Sequence, residues 1–123
     1  MDPVEKFGEF VVAKLRDQAI SHADGLLAGR WKSPGTKALQ TALTQLSSEQ
    51  RQLVRRVVVA SVDGGLHDFL FALGEAHDFQ QGIAVVVDGQ DIAALSDGLH
   101  GEPYSDEGWF ARFSKYGSHL DPA

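Results

Sequence analysis

Histidine and aspartate lie side by side twice in this sequence, at His67-Asp68 and at His77-Asp78. These side chains bind metal ions and transfer protons in many hydrolases. Ten residues of one helix span about 15 Å, so His67 and His77 could not share a metal ion. Asp63 and His67 are four residues apart, where the carboxylate could join the imidazole at a metal ion or orient it as a base.

Further metal ligands would have to come from another part of the chain, and His100 and Glu102 are the natural donors. If these side chains converge, the sequence indicates a metal-assisted hydrolase or a small-ligand binder. The alternative is that Asp63 and His67 satisfy each other on a partly buried helix face. We favour this alternative, and we expect no catalytic residue, no metal ion and no cofactor.

Aromatic residues are concentrated near the carboxyl terminus, where five of the eleven lie between positions 104 and 116. At helical spacing, three of them share one stripe beside two acidic residues. Aromatic side chains with a charged rim are typical of protein interfaces. We therefore predict partner binding by Tyr104, Asp106, Glu107, Trp109, Phe113 and Tyr116. The alternative is that this helix packs on the hairpin and closes the core.

Charge is divided unevenly along the chain, whose net charge is −6. Residues 1–60 contain nine Lys and Arg against six Asp and Glu, and residues 61–123 contain two against eleven, so the halves carry +3 and −9. An acidic half repels phosphate, and we therefore expect no nucleic-acid binding. The same half could attract a basic protein partner.

The composition places the chain among ordinary globular proteins. Its 123 residues amount to about one domain. It has no cysteine, so no disulfide or thiolate metal site can form. We find no signal peptide and no run of about 18 apolar residues, and we therefore expect a cytoplasmic protein that does not bind a membrane.

Capping residues and hydrophobic spacing predict an α+β domain. Its helical amino-terminal part is expected to pack with a β-hairpin and a short aromatic helix at the carboxyl end. Asp2-Pro3 and Ser47 with Gln50 are helix starts, and Asp88-Gly89 is a strong hairpin signal. The predicted elements are helices over about 3–27, 34–46, 48–80 and 106–116, and a hairpin over 83–95.

The spacing of apolar residues also predicts which faces are buried. In the first helix the stripe includes Val11 and Leu15, and in the third it includes Leu66, Phe69 and Leu73. This stripe keeps its phase across two adjacent glycines at 64 and 65, so we expect one uninterrupted helix there. Both faces of the hairpin are largely apolar, so it must be covered by helices or completed by a second copy. A homodimer is therefore an alternative assembly.

Three segments resemble those of a small uncharacterised bacterial protein family: residues 67–73 (HDFLFAL), 97–102 (DGLHGE) and 108–115 (GWFARFSK). The resemblance covers most of residues 50–117 and implies a bacterial cytosolic α+β protein without an assigned activity. Small acidic bacterial domains of this sort often resemble immunity proteins that neutralise toxins. The sequence thus favours a non-catalytic protein-binding domain with an immunity or regulatory role.

Overall fold

The computed structural model describes residues 1–118, and 67% of the structure is helical with one small antiparallel hairpin. The α+β class therefore holds in a coarse sense, with helices dominant. The elements, in chain order, are α1 (Pro3–Val11), a π-helical turn (Val12–Arg16), α2 (Asp17–Leu27), a 3-10 turn (Pro34–Thr36), α3 (Lys37–Thr44), α4 (Ser48–Asp78), β1 (Val86–Val87), β2 (Gln90–Asp91), α5 (Ile92–Leu95), a second 3-10 turn (Leu99–Gly101) and α6 (Trp109–Phe113).

The first helical segment runs without a break from α1 through the π-helical turn into α2. It begins where the sequence predicts, because the Asp2 carboxylate accepts a hydrogen bond from the Glu5 N–H at 2.8 Å. The π-helical turn is wider than an α-helical turn and shifts the buried face. Leu15 was expected in the core but is 52% exposed, whereas Arg16 and Asp17 are buried.

The long helix α4 starts with the predicted capping box, in which Ser47 and Gln50 exchange two hydrogen bonds. It continues through both glycines, where added side chains would meet open space, so neither glycine forces a break. Its buried face differs from the predicted stripe at one large residue, since Phe69 is exposed and Leu70 is fully buried. The prediction for Phe69 was wrong because a stripe chosen from apolar residues alone passes over Asp63. This polar residue lies on the buried face, seven residues before Leu70.

The hairpin is shorter than the predicted 83–95. Val87 pairs with Gln90 around the predicted Asp88-Gly89 turn, in which both residues have positive φ. The returning strand ends at once, because the Asp91 carboxylate caps α5 by accepting from the Ala93 N–H at 3.0 Å. Alanine and leucine favour helix, and strands of two residues offer little backbone for pairing with a second copy.

The carboxyl-terminal helix α6 is also shorter than the predicted 106–116. At its start, the N–H groups of Trp109 and Phe110 donate to the carbonyls of Glu102 and Pro103, which holds the preceding residues in a loop. At its end, Ser114 is extended and its hydroxyl donates to Asp17 at 2.6 Å. Tertiary hydrogen bonds therefore limit the helix at both ends.

The core lies between the first helical segment, the carboxyl half of α4 and the chain that follows it. Its buried apolar residues are Val11, Val12, Leu66, Leu70, Leu73, Ile92, Leu99, Trp109 and Phe110. The amino-terminal half of α4 lies outside this core and packs with α2. The amino-terminal half of α4 thus contributes no residue to this cluster.

Within the described residues, α4 is long and apolar enough to cross a membrane by length and composition, which the sequence analysis did not anticipate. Its most apolar 18 residues have a mean hydropathy of 1.4, and 28% of them are buried. This is a weak indication, because core helices of soluble proteins pass the same test. The middle of α4 also holds Asp63, which is buried in an ion pair with Arg16.

Candidate functional site

The structure places most of the predicted aromatic stripe inside the protein. Trp109 is 1% exposed and meets the Phe7 ring edge-on, with ring centroids 5.9 Å apart. Phe113 and Tyr116 are half-buried. Trp109 is therefore a core residue in this structure, as in the alternative that α6 closes the core.

The other predicted partner-binding residues lie on the surface. Tyr104 is 43% exposed, and its hydroxyl donates to the backbone carbonyl of Asp63 at 2.9 Å. Burial, followed by the nearby Asp63 charge, raises the pKa of Tyr104. Asp106 and Glu107 are exposed in the loop before α6. These three side chains remain accessible to a partner.

The four residues of the metal-site hypothesis do not form one ligand set. The rings of His67 and His100 meet edge-on with centroids 5.4 Å apart, so these two are brought together. Both carboxylate oxygens of Asp63 instead accept from Arg16, at 2.7 and 3.2 Å, and Glu102 accepts from the Ser96 hydroxyl. Residues 1–118 contain no group of three His, Asp or Glu arranged to hold a metal ion.

The two histidines belong to a group of rings on the surface of the carboxyl-terminal half. His100 contacts Phe71 with centroids 5.2 Å apart, and His67 lies 6.0 Å from the Tyr104 ring. Phe71 is 46% exposed although it is large and apolar. Phe71 and Tyr104 are the exposed members of this group.

Beside Phe71 and His100 lies a cavity of about 150 Å³, which we call the acidic pocket. Its carboxylates are those of Glu75, Asp78 and Asp97, and its lining includes no lysine or arginine. Phe71, Glu75 and Asp78 are spaced four and three residues apart on α4, so one helix face supplies them. The loop after α5 supplies Asp97 from the opposite side.

The acidic residues that line the acidic pocket have no ion-pair partner among the described residues. Asp78 is the last residue of α4, at the negative end of the helix dipole, where a carboxylate is unfavourable. No ion pair joins Glu75, Asp78 or Asp97 to another residue of the described chain. A cation in this pocket would therefore be attracted by carboxylates that have no ion-pair partner among the described residues.

The surface around the acidic pocket adds apolar area. A shallow depression of about 490 Å³ shares Asp78 with the pocket and is lined by Ile83 and by Asp91, whose carboxylate lies 3.4 Å from His77. Large apolar side chains stand exposed nearby on the chain, among them Phe79 at 69% and Ile83 at 64%. The region thus combines acidic residues with exposed apolar side chains.

Sequence reasoning missed Phe71, Glu75, Asp78 and Asp97 as site residues. One signal could have found this region: from position 57 to 111 the chain contains no lysine or arginine. The spacing of Phe71, Glu75 and Asp78 was a second signal. The contribution of Asp97 depends on how the chain turns after α5, which no local pattern specifies.

Comparisons with protein-family models, with curated proteins and with solved structures find no match to this chain.

Proposed function

We propose that this protein is a non-catalytic protein-binding domain of bacterial type, whose acidic carboxyl-terminal half binds a basic protein partner in the cytoplasm. The observation that carries the proposal is the acidic pocket, where three carboxylates face one cavity and no described basic residue pairs with them. An immunity or regulatory role agrees with a small acidic domain that acts by occupying its partner.

The dimensions of the acidic pocket support a single side chain as its occupant. About 150 Å³ is too small for a typical small-molecule ligand, since such sites have roughly 300 Å³ or more. A lysine or arginine side chain places a charge at the end of an apolar stem, and the pocket offers carboxylates beside Phe71 and His100. The arginine or lysine of a partner would thus contact the rings of Phe71 and His100 and pair with the carboxylates.

The exposed apolar residues would provide the rest of the interface. Buried apolar anchors supply most of the binding energy in protein complexes, while charged rims govern encounter rates and specificity. Phe79 and Ile83 are the most exposed apolar residues of this region. We therefore expect the partner to combine lysine or arginine with apolar side chains in one segment.

A selection from a random peptide library displayed on phage tests this proposal. Peptides selected on the wild-type protein should be enriched in lysine and arginine. Each should bind the triple variant Glu75→Gln, Asp78→Asn, Asp97→Asn about tenfold more weakly or worse, because each charged contact contributes roughly 1.5 kcal/mol or more. Added salt should weaken binding to the wild type and affect the triple variant less.

The matched control is Asp106→Asn with Glu107→Gln, which removes two exposed carboxylates outside the pocket lining. This control should retain peptide affinity. Selected peptides that lack basic residues, or that bind the triple variant as well as the wild type, would contradict the proposal. Loss of binding in the control variant alone would place the interface at the loop before α6, as the sequence indicated.

A further inference from the structure

The amino-terminal half contains an apolar cavity of about 430 Å³ that the proposed function does not use. The floor is α2, and the walls are α3 and the first half of α4. Of its nine lining residues eight are apolar, and they include Ala23, Leu26, Leu39, Leu43, Val54 and Val58. Its volume lies within the range of roughly 300 to 1,000 Å³ typical of small-molecule sites.

The cavity follows from how the three helices pack. Both α3 and α4 pack against α2, while α3 and α4 approach each other at few points. The floor position Ala23 is small and 6% exposed, so it does not fill the gap between the walls. At the mouth Leu39 is 51% exposed. The result is a deep groove with apolar walls, whose contact with water is costly.

A basic depression adjoins this cavity. Leu27 lines the cavity and also a neighbouring depression of about 270 Å³ that contains Arg51 and Arg55. The Arg51 guanidinium donates to the Leu27 carbonyl through Nη2. Its Nε is buried and has no hydrogen-bond partner among the described residues, so one strong donor is left to be satisfied.

The two arginines differ in how much of their charge is already balanced. The Arg55 Nε donates to the Asp24 carboxylate at 2.7 Å, and this hydrogen bond raises the pKa of Arg55. No described carboxylate forms an ion pair with Arg51. The amino-terminal half carries +3 overall. An anion at Arg51 would therefore meet an uncompensated positive charge beside an apolar groove.

From these neighbouring features we infer that this groove binds a medium-chain fatty acid anion, with the hydrocarbon chain between α2, α3 and α4 and the carboxylate at Arg51. A hydrocarbon chain matches the apolar walls, and a carboxylate matches the Arg51 guanidinium, which lines the adjoining depression and has no ion-pair partner among the described residues. The charge distinguishes this ligand from a neutral or cationic amphiphile. This site lies in the opposite half of the chain from the acidic pocket and is independent of the proposed function.

Calorimetric titration with decanoate, kept below its micelle concentration, tests the inference. Decanol and decyltrimethylammonium carry the same chain with a neutral and a cationic head. Decanoate should bind about tenfold more tightly than either, since a hydrogen bond to a charged group contributes roughly 1.5 kcal/mol or more. Arg51→Gln should remove this advantage and leave the affinity for decanol unchanged.

A second pair of variants tests where the hydrocarbon chain of the ligand binds. Leu43→Trp should fill the groove and weaken decanoate and decanol alike. The matched control is Leu53→Trp, on an exposed position of α4 that does not line the groove, and it should change neither affinity. Should Leu43→Trp fail to fold, methyl NMR of the wild type decides the question, because decanoate should shift the methyl resonances of Leu43 and Val58.

Four results would overturn the inference. Decanoate binding that survives Leu43→Trp would place the ligand elsewhere, and equal affinity for decanoate and decyltrimethylammonium would exclude Arg51 as the head-group site. Binding to phosphatidylglycerol vesicles without binding of free decanoate would make the groove a membrane contact. Methyl shifts at Leu43 and Val58 that follow protein concentration, and not decanoate, would assign the groove to a second copy.

Discussion

Arg16 and Asp63 are 47 residues apart in the chain and form a buried ion pair with 2.7 Å between Arg16 Nε and Asp63 Oδ1. Their side chains are 1% and 6% exposed. The guanidinium also lies over the Phe110 ring, 3.9 Å from its centroid. This pair joins the first helical segment to the middle of α4, and it gives both helices one fixed relative register.

The first prediction concerns this ion pair. Arg16→Met should lower the free energy of unfolding by about 3 to 5 kcal/mol, because it removes the arginine that pairs with the buried Asp63 carboxylate. The double variant with Asp63→Leu should lose much less than the sum of the two single variants. Urea denaturation of the four proteins measures both effects.

The exposed pair of Arg55 and Asp24 provides the control for this cycle. Their side chains are 41% and 30% exposed, so Arg55→Met should cost at most about 1 kcal/mol. A loss in Arg16→Met no larger than that in Arg55→Met would contradict the prediction.

Local chemistry made some features predictable from sequence. The side chains of Asp2 and Ser47 accept from N–H groups three positions along the chain, so both helix starts follow from local residues. The Asp88-Gly89 turn is local in the same way, because its positive φ angles favour those two residue types. These features are confirmed in the structure.

Long-range packing explains what the sequence could not show. The π-helical turn rotates Leu15 outward and Arg16 inward, where Arg16 pairs with Asp63 and donates to Ser114, both distant in sequence. The same holds for Trp109, whose burial depends on its contact with Phe7 on another helix. At the candidate site, the excess of acidic residues was visible, whereas the meeting of Glu75 with Asp97 required the fold.

The second prediction compares two glycines in helices. A side chain at Gly64 would meet open space, so Gly64→Ala should raise the free energy of unfolding by about 0.5 to 1 kcal/mol through its higher helix propensity. A Cβ at Gly8 would overlap the buried Trp109 ring, so Gly8→Ala should lower stability by about 1 to 3 kcal/mol. Thermal unfolding measures both. Equal effects of the same sign would contradict the assigned packing of Trp109.

The third prediction concerns pH. Burial and the Asp63 charge raise the pKa of Tyr104 above its ordinary value of 10.0, so the folded protein retains this proton longer than the unfolded chain. The contribution of Tyr104 to the free energy of unfolding is fully present below pH 10, and it is lost as the pH rises through the higher pKa of the folded protein. The absorbance of tyrosinate during an alkaline titration measures this pKa.

The chain has two tyrosines, so Tyr104→Phe assigns the signal. This variant should lack the delayed ionisation and should lose less stability than the wild type between neutral and alkaline pH. A wild-type titration in which both tyrosines ionise at or below their ordinary value would refute the prediction.

The last prediction concerns Ser114, which links the carboxyl-terminal segment to the first helices. Its hydroxyl donates to the buried Asp17 carboxylate at 2.6 Å and accepts from Arg16 Nη1 at 3.0 Å and from the Tyr116 N–H. Ser114→Ala should lower stability by about 1 to 3 kcal/mol, because it removes a partner from two buried charged groups. Hydrogen exchange should also quicken at the amides of Lys115 and Tyr116. Ser118→Ala is the matched control and should leave exchange at these amides unchanged, whereas an equal effect of both substitutions would show that Ser114 does not link these segments.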